Sequence, residues 1–270
     1  MSKPKNYQTD AIIIKKTKLG EADRILTLYT PHLGKMQAVA KGVRRPKSKM
    51  AGHLELLTHS QVSLARGRNL DTITGSQTIN SFLPLKSDLW LTSCALYVTE
   101  LVNQFTAEEV ENYLLFQLLL KTMEQLCQPH DKDLTLRYFE LQLLNEVGYR
   151  PQLQECVTCH KKLEPASNSF CPNAGGMLCP DCSLSQPVTY TLSVNAQKVL
   201  RLFQRCDYST ASRLKIDQAL SHELERVMSN YLKHLLEREV KAAAWLDTLR
   251  EQIRQTMPDP DALLKASDGI

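Results

Sequence analysis

At 270 residues, with 43% hydrophobic and 23% charged residues and only 10 Gly and 12 Pro, the chain is long enough for about two folded domains and is neither disordered nor collagen-like. No uninterrupted apolar run approaches the roughly 18 residues of a bilayer-spanning helix, because the richest stretch, 114–120, is broken by Gln117. The polar first ten residues lead into an apolar strip too short for a secretory signal, so the expectation is a cytoplasmic protein with no membrane partner.

The net charge of +4 is unevenly divided. Residues 1–80 hold 14 Lys and Arg against 5 Asp and Glu, whereas residues 81–270 hold 19 against 24. Clustered cations gain affinity for a polyanion by displacing the counterions condensed on phosphate, so the first third points to nucleic acid. A merely solvated basic face is the competing explanation.

Three textures follow one another. Segments 10–17, 24–30, 35–41, 62–66 and 71–79 read as short strands, punctuated by Pro31, Gly34, Gly42 and Gly67. Five strands with no long helical pattern predict a small barrel or sandwich, and the alternation in Gln61-Val62-Ser63-Leu64-Ala65-Arg66 fits a wall with one dry face. From 86 to 147 the apolar period becomes 3.6, carried by Leu89, Leu96, Leu101, Phe105, Val110, Leu114, Leu118, Met123, Leu136, Phe139, Leu143 and Leu144. Gly148 and Pro151 stop this helical bundle. A Pro- and Cys-rich insert follows, and helices resume over 194–206, behind a Ser193 cap, and over 214–256 until Pro258 and Pro260.

Within the insert, Cys156-Val157-Thr158-Cys159 and Cys179-Pro180-Asp181-Cys182 are separated by 19 residues. Each pair forms a tight knuckle with two thiolates on one side, and the loop between them closes a four-sulfur tetrahedron, the pattern of one zinc ion. Four sulfur ligands leave no open position for water or substrate. The ion is therefore expected to be structural, replacing a core that the turn-rich insert is too small to build. Disulfides are disfavoured in a cytosolic chain, and the flanks do not suggest a redox unit. Cys171 and His160 break the paired spacing and are taken as bystanders, while Cys94, Cys127 and Cys206 lie in helical patterns as small apolar residues.

Lys41-Gly42-Val43-Arg44-Arg45-Pro46-Lys47-Ser48-Lys49 packs five cations into nine residues without an acid. Arg grips phosphate with a two-pronged fork and Lys adds a mobile charge, so this loop suits backbone tracking better than base reading. Lys15, Lys16, Lys18, Arg24, Lys35, Arg66 and Arg68 are expected to continue the track; a localisation signal is the other familiar meaning of such a run. Stacking platforms are sparse, since Tyr7, Tyr29 and Phe82 are the only aromatics in this region. There is no phosphate-cradling Gly loop, His-Glu-x-x-His helix or Gly-x-Ser-x-Gly elbow, and Glu21 with Asp23 reads as a surface pair. No residue pattern demands an enzyme.

Thr9-Asp10-Ala11-Ile12-Ile13-Ile14, Gly20-Glu21-Ala22-Asp23-Arg24-Ile25-Leu26-Thr27-Leu28, Gly34-Lys35 and Ala40 to Ser48 together resemble the amino-terminal part of RecO, a bacterial recombination-mediator family. Phe139-Glu140-Leu141, Gly148-Tyr149-Arg150-Pro151-Gln152-Leu153 and Gly175-Gly176-Met177-Leu178-Cys179 resemble the family's helical and zinc parts. The resemblance implies a multidomain α+β protein. It places an OB-fold barrel over residues 1–82 and an all-α domain over 83–270, interrupted by a zinc-binding insert at about 153–188. It also implies binding of single- and double-stranded DNA, annealing of complementary strands and, with RecR, loading of RecA onto DNA coated by single-strand binding protein. That protein's C-terminal tail would be a partner, seated on the helical domain. The resemblance assigns DNA contacts to Arg24, Lys35, Lys41, Arg44, Arg45, Lys47 and Lys49, to which the charge pattern adds Arg66 and Arg68. Cys156, Cys159, Cys179 and Cys182 are the zinc ligands and act as scaffold. A zinc-dependent nucleic-acid-modifying enzyme and a zinc-ribbon transcription factor are the alternatives.

Overall fold

The computed structural model describes residues 5–237, together with 242, 246, 248 and 249. Strands β1 (Asn6–Leu19), β2 (Asp23–Thr30), β3 (Gly34–Ala40), β4 (His59–Ala65) and β5 (Asp71–Asn80) close into a barrel in the order β1-β2-β3-β5-β4. A bulge between Ile13 and Lys15 bends β1, so its first half pairs with β4 and its second half with β2.

The apolar run 11–14 reflects burial on both faces. Ala11 and Ile13 point into the barrel with Leu26, Leu28, Met36, Val62, Leu64 and Ile73, whereas Ile12 and Ile14 join the core of the helical half. Tyr29 does the same from β2, its ring stacked on Phe116 at 6.5 Å. Strand β3 meets β5 only at Ala38–Asp71 and Val39–Thr72, which leaves its first residues as an open edge. The segment 106–112 covers that edge: Glu108 bridges to Lys35, and the Glu109 N–H donates to the Lys35 carbonyl at 2.8 Å. A Cβ on Gly34 would stand 2.0 Å from the Val110 carbonyl oxygen, so this approach requires glycine.

The long helical pattern resolves into α1 (Leu83–Ser87), α2 (Leu89–Phe105), α3 (Tyr113–Leu126) and α4 (Lys132–Glu146). Short polar side chains end each connection by accepting the first free N–H groups: Asp88 from Leu91, Asn112 from Leu115 and Asp131 from Leu134. Three residues assigned to the apolar stripe depart from it. Leu89 and Leu114 are exposed on their helices, and Val110 is exposed in the edge-covering segment rather than in a helix. Buried Arg137 on α4 pairs with Glu140, which also accepts the Tyr97 hydroxyl at 2.6 Å, tying α2 to α4.

The insert contains more regular structure than its turn content predicts. Strands β6 (Asn168–Cys171), β7 (Gly176–Leu178) and β8 (Tyr190–Leu192) form a sheet in the order β7-β6-β8, beside the short helix α5 (Pro180–Ser183). Phe170, Met177 and Leu178 are buried within the helical core, so the insert shares a core rather than lacking one. Helices α6 (Val194–Phe203), α7 (Tyr208–Ala211) and α8 (Gln218–Leu236) follow, capped by Ser193, Asp207 and Asp217. Cys127 and Cys206 are half-buried just beyond helix ends rather than within them. The expected continuation of the last helix to 256 and the Pro258–Pro260 stop lie largely outside the described residues.

Candidate nucleic-acid interface and metal centre

The basic loop is held mainly by its backbone and offers its charges to solvent, the Arg44 guanidinium also donating to the Gly20 carbonyl at 3.3 Å. Val43 is buried in the barrel interior, plugging one end. On either side, the Gly42 N–H donates to Asp23 Oδ1 at 2.7 Å and the Arg44 N–H to the Ala22 carbonyl at 2.9 Å. The loop is thereby fastened to the β1–β2 turn. Asp23 thus has a structural task, which separates it from exposed Glu21. Lys41, Arg44, Arg45, Lys47 and Lys49 are all exposed. Arg24 stands directly opposite Lys18 across β1–β2 and opposite Ala40, the residue before Lys41, across β2–β3. Like charges facing each other across a ladder repel. Among the described residues none of these seven cations forms an ion pair. This end of the barrel is a concentration of positive charge, only partly offset by Glu21 and Asp23 of the adjoining turn, and suited to phosphates.

Other expected contacts are placed elsewhere. Lys35 is only 9% exposed, and its ammonium donates to the carbonyl oxygens of Asn103, at 2.6 Å, and Thr106. It caps the C-terminal end of α2, where the helix dipole favours a cation, so the expected DNA contact at Lys35 is corrected to a joint between the two halves. Burial pushes its pKa down, partly offset by the Glu108 carboxylate. Lys16 pairs with Glu55 at 2.6 Å. Arg66 lies 4.7 Å above the Tyr7 ring and shares a small cavity with His32 and Leu33 of the β2–β3 turn, at the opposite end of that hairpin from the basic loop. Arg68 is exposed in the same β4–β5 turn. Tyr29 and Phe82 are core residues, leaving Tyr7 as the half-buried aromatic of the group.

The two cysteine knuckles come together as their spacing predicts. The Val157 N–H donates to the Met177 carbonyl at 2.9 Å and the Met177 N–H to the Gln152 carbonyl at 2.8 Å, which brings the first knuckle alongside β7. Gly176 permits this approach, since a Cβ there would lie 2.5 Å from the Gln152 carbonyl oxygen. The sulfurs of Cys156, Cys159, Cys179 and Cys182 all lie within 4.8 Å of one another, and Cys159 Sγ is 3.8 Å from Cys179 Sγ. A tetrahedron with metal–sulfur bonds of about 2.3 Å has edges of about 3.8 Å, so the four sulfurs fit a metal ion. Burial raises the Cys156 thiol pKa, but backbone N–H groups of Cys159, Cys179 and Thr158 outweigh this and bring it down to about 6. Cys182 is pushed up by the hydrogen bond with Cys179 and by the other sulfurs, as expected where four thiols share protons. Cys171 is buried in β6 and makes a long contact to Gln186, outside the cluster.

A closed five-stranded barrel with an exposed basic loop is joined through a common core to a helical part carrying a four-cysteine site, an arrangement of the kind that binds nucleic acid. Residues 1–82 match the family model for the Recombination protein O N terminal region and residues 86–244 that for the Recombination protein O C terminal region. The chain belongs to the RecO family. A protein named DNA repair protein RecO from Dehalococcoides mccartyi strain CBDB1 is 50% identical over 250 residues, covering 93% of this chain and 98% of that protein. A protein of the same name from Roseiflexus sp. strain RS-1 is 42% identical, over 93% of this chain and 89% of its own length. That from Symbiobacterium thermophilum is 34% identical, over 90% and 98% respectively. Among the described residues no helix is long and apolar enough to cross a membrane.

Proposed function

We propose that this chain is a non-catalytic mediator of DNA repair and homologous recombination, acting in the cytoplasm at the nucleoid. It binds single- and double-stranded DNA through the barrel end bearing Arg24 and the loop 41–49. The barrel over 1–82 is read as an OB-fold, a reading supported by its strand order, and 83–270 as the helical domain carrying the insert. The observation that carries the proposal is the gathering of Lys18, Arg24, Lys41, Arg44, Arg45, Lys47 and Lys49 with no ion-pair partner among the described residues. Two DNA strands repel through their phosphates. A basic surface that lowers this repulsion while leaving bases exposed speeds pairing without any chemical step.

The resemblance to the family extends the proposal to finer roles: cooperation with RecR, and replacement of single-strand binding protein by RecA. A groove of about 670 Å3 between α3, α4 and α7, lined in part by Leu114, Leu118, Lys121, His130, Tyr138 and Tyr208, is the proposed seat of that protein's C-terminal tail. Leu114, which the helical pattern sends to the core, is instead 64% exposed at this groove. The four cysteines hold one zinc ion, which supplies rigidity to the insert and takes no part in DNA binding.

The test is the rate at which complementary strands coated with single-strand binding protein are paired, for the wild type and for Arg44→Ala with Arg45→Ala. The wild type accelerates pairing and the double variant loses most of the effect. The double variant also lowers the salt slope of single-strand binding by up to about 1.4, two contacts at roughly 0.7 each. No acceleration by the wild type overturns the proposal, and an unchanged slope removes the loop from the interface. Zinc-dependent turnover of a nucleic acid would favour an enzyme, and a large preference for one duplex sequence a transcription factor.

A further inference from the structure

We infer that the small cavity at the far end of the β2–β3 hairpin receives one unstacked cytosine of single-stranded DNA. This rests on the DNA-binding reading above and extends it from phosphates to a base.

The cavity measures about 150 Å3 and is bounded by Tyr7, Leu33, Met36, Arg66, Asp71 and Glu109, with His32 at its side. A space of about this size holds benzene in an engineered protein core, so it suits a single six-membered ring rather than a purine. Its charges select among possible occupants. The carboxylates of Asp71 and Glu109 repel a phosphate or an acidic peptide, and with Asp71 already engaged the lining leaves one carboxylate, Glu109, and one guanidinium, Arg66, for an occupant. What remains is a neutral planar group with both donors and acceptors on one edge.

The roles of the two acids differ. Asp71 is already used, one oxygen accepting the Tyr7 hydroxyl and the other the Gly67 N–H at 3.0 Å, so it fixes the ring and the turn that carries Arg66. Glu109 is exposed, and among the described residues its carboxylate has no hydrogen bond or ion pair. Its backbone is held in the left-handed region, φ 59°, by the N–H bond to the Lys35 carbonyl. A non-glycine residue kept in that conformation beside a cavity is a pointer to use. Cytosine presents an amino donor next to two acceptors along its pairing edge. The Glu109 carboxylate accepts from the amino group, and the Arg66 fork donates to the ring nitrogen and the carbonyl oxygen. Thymine places a carbonyl where the amino group would be, against the carboxylate. Leu33 and Met36 supply the apolar contact for the ring.

The site also lies within reach of the basic loop. The hairpin between them spans six residue steps, about 20 Å. That separation fits the roughly 4–16 nucleotides a single barrel of this kind accommodates. Exposed Arg68 stands beside the cavity's turn to meet the adjoining phosphate.

The experiment measures binding of fluorescent dC and dT tracts of equal length to the full chain, at mildly alkaline pH where the dC tract stays unfolded. The wild type is expected to bind dC at least about fivefold more tightly, in line with one good base contact. Glu109→Ala brings the ratio to about one. Arg44→Ala with Arg45→Ala weakens both tracts while keeping the ratio. A wild-type ratio near one, or a ratio that survives Glu109→Ala, overturns the cytosine site. Failure of the loop variant to weaken either tract overturns the loop reading instead, with the ratio still judging the cavity.

Discussion

Replacing Lys35 by Met separates the joint from the DNA surface. The ammonium serves two main-chain carbonyl oxygens at the end of α2, those of Asn103 and Thr106, from a position 9% exposed. Methionine keeps most of the stem packing and removes the donors. Each buried acceptor left without a partner costs about 1–3 kcal/mol, and some rehydration at the end of α2 lowers the sum, so the loss is about 2–4 kcal/mol. For a chain of this size that corresponds to a fall of roughly 5–15 °C in Tm. Thermal unfolding followed by circular dichroism reads the loss, and anisotropy titrations at several salt concentrations read the DNA contact. The expected outcome is a marked drop in Tm with an unaltered salt slope. A variant as stable as the wild type that shows a flatter slope would mean that Lys35 meets phosphate after all, and that the two-carbonyl geometry does not describe the protein in solution.

Gly34→Ala puts a methyl group 2.0 Å from the Val110 carbonyl oxygen at a φ of 63°, and is expected to destabilise by at least about 2 kcal/mol in urea unfolding. Cys156→Ser, or a strong chelator, should loosen the insert and, because Phe170, Met177 and Leu178 belong to the helical core, lower the Tm of the whole chain by several degrees while barely changing DNA affinity. Metal analysis of fresh protein with no zinc would contradict the site. Burial pushes the pKa of His59 below its ordinary 6.5, only partly offset by Asp10. The unfolded chain therefore takes up a proton below pH 6.5 that the folded chain declines, and stability falls as the pH drops from 6.5 toward the folded value. His59→Phe should flatten that part of a stability-against-pH curve, and an unchanged slope would assign it to other groups.

Local order was legible in the amino-acid sequence because it depends on near neighbours. The strands from 10–17 to 71–79, the Ser193 cap, the helical period after 86 and the two knuckles are patterns of spacing, and the structure contains each of them. The site residues divide by the same criterion. Cations inside the loop 41–49 are exposed as the density of charge around a single apolar Val43 implies, whereas the fate of Lys35 depended on an α2 terminus 68 residues away. Charge counted along a chain says nothing of which cation faces solvent.

The exposed Leu114 and Val110 make the same point from the apolar side. Periodicity names a stripe, but only the packing of α3 against its neighbours and the course of 106–112 over β3 decide which members it covers. The Glu109 cavity left no trace in sequence, since Tyr7, Arg66 and Glu109 share no local pattern and meet only when β1, the β4–β5 turn and the edge-covering segment converge. Order along the chain thus determined most of the elements, the basic loop and the two cysteine knuckles, because those are set by contacts a few residues apart. Tertiary structure alone decided which charges were sequestered and which surfaces stayed open, because burial is settled by segments that sequence distance keeps apart.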